Sequence, residues 1–318
     1  MDQQSQIAFG GPAYANRNLS SQGMSMGSGM ASQGAGLPNL QIQFKNVELI
    51  RIINDLRKKE TMIQQEAAKK LHQYMSQYQE DCDDNLFNQF KEMLDSKNIE
   101  EKFGALMAIN KIARIGRETR IIHNVKKIMP CVQIQLQNNN KELVEKAADC
   151  LGILAEAGGK TTAEVFDSVL IEMISFLEND KDAKSNNIKK YSAVLVIKEF
   201  CKKLQIITFN KLFDKQQNFK LIFYALKDHR LHVRTTAADC INECIRIISA
   251  REYQNDQKRN YLDLIYTQVS QALFDTHDTD VFYQQSTLSI LSELIQVKSG
   301  GSSMSKSNKN IILVSTLE

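Results

Sequence analysis

A chain of 318 residues with 42% hydrophobic content has room for one to three domains and can bury a sizeable core, so composition excludes a wholly disordered polypeptide. Its 40 basic and 37 acidic side chains leave a formal charge of +3, which gives no electrostatic case for nucleic acid or an anionic membrane as the main partner. Six cysteines (Cys82, Cys131, Cys150, Cys201, Cys240 and Cys244) are too widely spaced for a disulfide framework and fit a reducing compartment.

The first 38 residues hold seven of the fourteen glycines and two of the three prolines, among Ser, Gln, Asn and Met. Such a segment cannot bury enough apolar surface to offset its ordering entropy, so residues 1–38 read as a disordered tail. It has neither the basic start nor the apolar run of a secretory signal, and no stretch of the chain reaches bilayer-spanning length. A soluble intracellular protein is expected.

From Asn39 to Ser299 only Pro130 and five glycines interrupt the chain, which argues for helix throughout residues 39–298. In "NLFNQFKEMLDSKN", Leu86, Phe90, Met93 and Leu94 share one helical face. In "TTAEVFDSVLIEMISFLEND", Val165, Phe166, Val169, Leu170, Met173, Ile174 and Leu177 do the same, with Thr161 and Glu164 spaced as a capping box. "YLDLIYTQVSQALFD" repeats the design through Leu262, Ile265, Val269 and Leu273. Residues 299–318 return to low complexity.

The tetrapeptide AADC occurs twice, before Leu151 and before Ile241. Similar helices can be anchored at Leu71, Ile109, Ile197 and Leu291, at intervals of 38, 42, 46, 44 and 50 residues, close to the roughly 40–47 of HEAT or armadillo repeats. Four positions before each anchor stand Ala67, Ala105, Ala147, Ala193, Ala237 and Thr287; three before it stand Ala68, Leu106, Ala148, Val194, Ala238 and Leu288. Three after it stand Tyr74, Ile112, Leu154, Phe200, Cys244 and Leu294. A small side chain on that face lets two helix axes approach, so AADC marks a packing seam. The expected fold is all-α: a HEAT/armadillo-like α-solenoid of about six hairpins.

Candidate chemistry is sparse. Cys240 and Cys244 lie four apart on one helix face, but no second Cys/His pair has zinc-ligand spacing, and both read as core. His229 and His232 flank a predicted turn beside Asp228 and read as solvated. Gly159, Lys160 and Thr161 match the end of a phosphate loop, yet Leu154 stands where that loop needs glycine, so Gly158 and Gly159 read as a helix stop. Glu80, Asp81, Asp83 and Asp84 lack the spacing of a calcium loop. The basic groups 57–59, Lys126-Lys127, Lys189-Lys190 and Lys202-Lys203 read as solvated faces, with an acidic partner surface as the alternative. No catalytic, metal or cofactor site is expected, and no kinase motif set is visible.

The runs "LGILAEAGGKTTAEVFDSVLIEMISFL", "KKYSAVLVIKEFCKKL" and "KDHRLHVRTTAADCINECIRIISARE" resemble the amino-terminal HEAT repeats of TOR kinases, large serine/threonine protein kinases. The resemblance extends from about Val47 to about Val297. It implies a scaffold that helps hold Raptor-type or Rictor-type subunits within a dimeric complex coupling nutrient signals to growth, with the kinase domain far downstream. A cytoplasmic location is implied, extending to nucleus or endomembranes through the complex. No catalytic residue of that family maps onto this chain. A stand-alone HEAT/armadillo adaptor or transport factor is the alternative reading.

Overall fold

The computed structural model describes residues 37–78, 84–113, 118–178, 186–213, 216–250, 255–274 and 281–299. By contacts the chain divides into a unit Met1–Phe44 and a unit Lys45–Glu318, and the packing below concerns the second. The segment read as a tail lies outside the described residues as far as residue 36, and the segment after 299 lies outside them altogether.

Every described element is helical. The chain runs through α1 (Leu37–Leu56), α2 (Thr61–Tyr78), α3 (Asp84–Asp95), α4 (Ile99–Ala113), α5 (Glu118–Gln135) and α6 (Lys141–Gly158). A 3-10 turn (Gly159–Thr162) leads into α7 (Ala163–Glu178), followed by α8 (Asn186–Lys203), α9 (Gln205–Phe213), α10 (Gln216–Ala225), α11 (Leu231–Ala250), α12 (Asn255–Phe274) and α13 (Val281–Ser299). Two packing directions organise them. Within hairpins, α3 packs on α4, α5 on α6, α7 on α8, α10 on α11 and α12 on α13. Between hairpins, the second helices form one continuous row, α2 on α4 on α6 on α8 on α11 on α13. This is the all-α helical-repeat stack that the sequence predicts.

The six anchors fall one on each helix of that row, and Leu71, Ile109, Leu151, Ile197, Ile241 and Leu291 are all buried. The small residue four positions earlier is buried in every copy, from Ala67 to Thr287. At the next position the series breaks once: Ala68, Leu106, Ala148, Val194 and Ala238 are buried, whereas Leu288 on α13 is 50% exposed. The exception sits on the last described helix of the row, which packs on α11 and α12. No described helix follows α13 in the row, and at this end of the stack the position is left open.

The first helices of the hairpins carry their own repeat, which anchoring on AADC does not reveal. Leu56, Leu94, Leu136, Leu177 and Leu226 stand within one residue of the ends of α1, α3, α5, α7 and α10, and all are buried. Two glutamines secure such ends. Buried Gln64 points its amide nitrogen at the carbonyls of Leu56 (3.1 Å), Lys58 (2.7 Å) and Glu100 (2.6 Å). Buried Gln135 donates to Leu94 (3.0 Å) and Cys131 (3.2 Å) and accepts from Lys102 (2.9 Å). The bonds to Leu56 and Leu94 satisfy last-turn carbonyls of α1 and α3 that have no intrahelical partner. Gly104 is required beside the first of them, because a Cβ there would lie 1.9 Å from the Leu56 carbonyl oxygen.

Two local details depart from the sequence reading. Thr161, read as the cap of α7, instead lies within a 3-10 turn, and α7 begins at Ala163: Gly159 has φ +50, its N–H caps α6 at Ala155, and the chain leaves it through that turn. The side chain of Thr161 lies outside the described residues. Helix α9 is an additional short helix contacting α7, α8, α10 and α11, which makes that repeat a three-helix unit of armadillo type. Its Phe209 and Phe213 stack at 4.3 Å and meet Phe219 of α10 and Tyr261 of α12, so aromatic packing fills this wider junction. Helix α5 continues through exposed Pro130, in keeping with helix across that stretch.

Candidate functional site

The row of second helices is tied along its length by polar contacts one repeat apart. His72 Nδ1 of α2 lies 3.0 Å from the Lys111 carbonyl oxygen of α4. Asn110 of α4 donates to Asp149 of α6 at 3.0 Å. Between α6 and α8, the Tyr191 hydroxyl donates to Glu145, and Lys203 pairs with Glu156 at 2.8 Å. Lys198 reaches Asp239 of α11 at 3.9 Å, and Arg246 of α11 donates from Nε to Glu293 of α13 at 3.1 Å. Each exposed pair contributes only about 0.2–1 kcal/mol, so the ladder fixes register more than it stabilises. Burial, then the Glu145 hydrogen bond, pushes the Tyr191 hydroxyl well up and keeps it a donor.

A cleft of about 280 Å³ opens on this row across α2, α4 and α6, lined by Lys69, Met107, Asn110, Lys111, Lys146 and Asp149 among others. Lys69 and Lys111 are exposed and Lys146 is half-buried. Three lysines stand against one carboxylate, Asp149, in this lining, so it presents more positive than negative charge.

The sequence-level candidates distribute as follows. His229 is exposed at the turn between α10 and α11, whereas His232 belongs to α11, half-buried and edge-on to Tyr191 at 4.6 Å. Burial, followed by the charges of Lys141 and Arg230, pushes the His232 imidazole down. Asp228 is the structural residue of the turn: it accepts from Arg230 N (3.0 Å), Nε (2.8 Å) and Nη2 (2.9 Å), with Lys190 at 3.6 Å. Burial raises its carboxyl, but the Arg230 bonds and the two cations outweigh that and hold it at about 2. Leu154, at the position where a phosphate loop needs glycine, is buried in α6. The side chains of Glu80, Asp81, Asp83 and Asp84 lie outside the described residues.

Among the basic groups Lys58, Lys59, Lys126, Lys127 and Lys202 are exposed, as solvated faces should be, whereas Arg57 and Lys189 are partly buried. Arg57 reaches Gln89 (3.1 Å), Glu92 (3.2 Å) and Glu101 (3.4 Å), clamping the end of α1 to α3 and α4. Lys189 sits over the Phe176 ring at 5.4 Å, and Lys202 pairs with Glu199 at 2.9 Å.

Cys240 and Cys244 are buried in α11, as core residues should be, but a third thiol joins them. Cys201 of α8 is equally buried, its Sγ lies 3.8 Å from that of Cys244, and all three sulfurs lie within 4.8 Å of one another. Hydrogen bonds within the trio pull the Cys244 thiol down and push the Cys201 thiol up. Sequence spacing exposes only the pair on one helix. The signal for the third was available in the repeat register, where Cys201 stands four residues after the α8 anchor and Cys244 three after the α11 anchor.

No protein-family profile matches the chain. The serine/threonine-protein kinase tor1 of Schizosaccharomyces pombe is 23% identical over 211 residues, 63% of this chain and 8% of that protein. The serine/threonine-protein kinase TOR of Arabidopsis thaliana is 25% identical over 172 residues, 53% of this chain and 6% of that protein. The chain thus spans less than a tenth of the curated relatives it matches. Among solved structures, a chain of the Kap95p complex with RanGDP aligns with 83% of this chain and 32% of its own length, at 13% identity and a TM-score of 0.51. That likeness shows the fold alone. No described helix is long and apolar enough to cross a membrane. The chain is an α-solenoid of HEAT/armadillo type, similar in sequence to a segment of the TOR serine/threonine kinases.

Proposed function

We propose that this chain is the non-catalytic HEAT-repeat scaffold of a TOR-type kinase, presenting its helical row for assembly of TOR complexes. The observation that carries the reading is the similarity to TOR kinases over 211 residues. The polar ladder supports it, because a row of helices held in register offers an extended and preorganised surface to a protein partner. The partners are Raptor-type or Rictor-type subunits, and the assembled complex is dimeric. Within the row, the cleft across α2, α4 and α6 receives an acidic partner segment, since Lys69, Lys111 and Lys146 surround it.

The test is capture of endogenous TOR-complex subunits by the full chain, compared with the same chain carrying Lys111→Glu and Lys146→Glu. The reading predicts retention of a Raptor-type or Rictor-type subunit, weakened about tenfold by the charge reversal with unchanged helicity, on the order of 1.4 kcal/mol. Failure of the unmodified chain to retain either subunit would overturn the scaffold role. Equal retention by the reversed chain would remove the cleft from it.

A further inference from the structure

We propose that Cys201, Cys240 and Cys244 form a three-thiolate site for a soft d10 cation, Cu(I) or Zn(II), that links α8 to α11. Two ligands come from one face of α11, four residues apart, and the third from the neighbouring helix of the row. A metal–sulfur bond of about 2.3 Å sets sulfurs roughly 3.8–4.0 Å apart in tetrahedral or trigonal coordination. The observed Cys201–Cys244 separation is 3.8 Å, and no pair in the trio exceeds 4.8 Å, so small side-chain adjustments complete the site.

At two of the three positions the repeat is packed elsewhere without a thiol; at the third, that of Cys240, the α6 copy carries Cys150 and the others Lys70, Ala108, Val196 and Ile290. At the register position of Cys201, the other copies carry Met75, Ala113, Ala155, Ile245 and Ile295. At that of Cys244 they carry Tyr74, Ile112, Leu154, Phe200 and Leu294. Apolar residues serve these positions elsewhere, and three thiols converge at one junction only among the described residues. Thiolate donors select soft cations such as Cu(I) and Zn(II) over calcium or magnesium. Binding displaces the thiol protons to solvent, so uptake is expected to strengthen as pH rises. A metal there would pin the fourth and fifth helices of the row together.

The experiment uses the full chain with Cys82→Ala, Cys131→Ala and Cys150→Ala, so that the trio supplies the only thiols. After reduction and removal of metal, it is titrated anaerobically with Cu(I) against bathocuproine disulfonate and, separately, with Zn(II) against a chromophoric chelator. The proposal expects one equivalent of at least one cation per chain, thiolate-to-metal charge-transfer absorption in the Cu(I) arm, and a rise in Tm of several degrees with the cation retained. Adding Cys201→Ala or Cys244→Ala should weaken uptake at least tenfold. A folded trio-only chain that takes up neither cation in competition overturns the site, whatever the alanine variants do. So does uptake that survives Cys201→Ala undiminished. Neither result bears on the scaffold reading, which is tested by partner capture.

Discussion

Single residues decide how closely these helices approach. A Cβ at position 104 would sit 1.9 Å from a backbone oxygen that also accepts from Gln64, so neither partner can yield cheaply. Gly104→Ala is therefore expected to destabilise the chain by about 1–3 kcal/mol despite the better helix propensity of alanine. Thermal unfolding monitored by circular dichroism checks it, and an unchanged Tm would contradict the close approach. Asp228 makes a different contribution. Its folded carboxyl is held at about 2, below the ordinary carboxylate value, so the stability it adds is fully present above about pH 4 and is lost as pH falls toward 2. Asp228→Asn should cost about 2 kcal/mol at pH 7, and the difference from the unmodified chain should shrink through that window. Urea midpoints at pH 7, 4 and 2.5 measure this; a gap independent of pH would show that the Arg230 bonds do not depend on the charge.

At the scale of the helix, the same register position has opposite consequences in different copies. Leu106 of α4 is fully buried, whereas Leu288 occupies the equivalent place on α13 and is half exposed. Leu106→Ser should cost more than about 3 kcal/mol through cavity formation and an unpaired hydroxyl, while Leu288→Ser should stay within about 0.5 kcal/mol. Urea unfolding of the two variants distinguishes them, and equal losses would mean that another surface covers α13. This register was legible in the sequence because the seam needs small residues at fixed offsets, and alanine at 67, 105, 147, 193 and 237 leaves a visible trace. Other features were not legible, for identifiable reasons. Arg57 looks like part of a basic run until Gln89, Glu92 and Glu101 are folded onto it from two other helices. The 3-10 turn before α7 follows from the positive φ of Gly159, which a capping-box pattern at Thr161 and Glu164 does not encode. The trio of thiols needs two adjacent repeats to be superposed before Cys201 meets Cys240 and Cys244.

At the scale of the whole molecule, stacking hairpins produces surface instead of a deep catalytic pocket. Each helix of the row is held by the one before it, so stability is expected to be approximately a sum over neighbouring repeats. That architecture suits a scaffold, because contacts spread over several helices can be preorganised together. The measurement that tests the scaffold reading most directly is native size fractionation of source-cell extract, immunoblotted with an antibody raised against residues 160–250. The same fractions are then probed for Raptor-type and Rictor-type subunits. The account predicts that the epitope elutes with one of those subunits in a large assembly and shifts with it when that subunit is depleted. An epitope that elutes apart from both and does not respond to their depletion would contradict it.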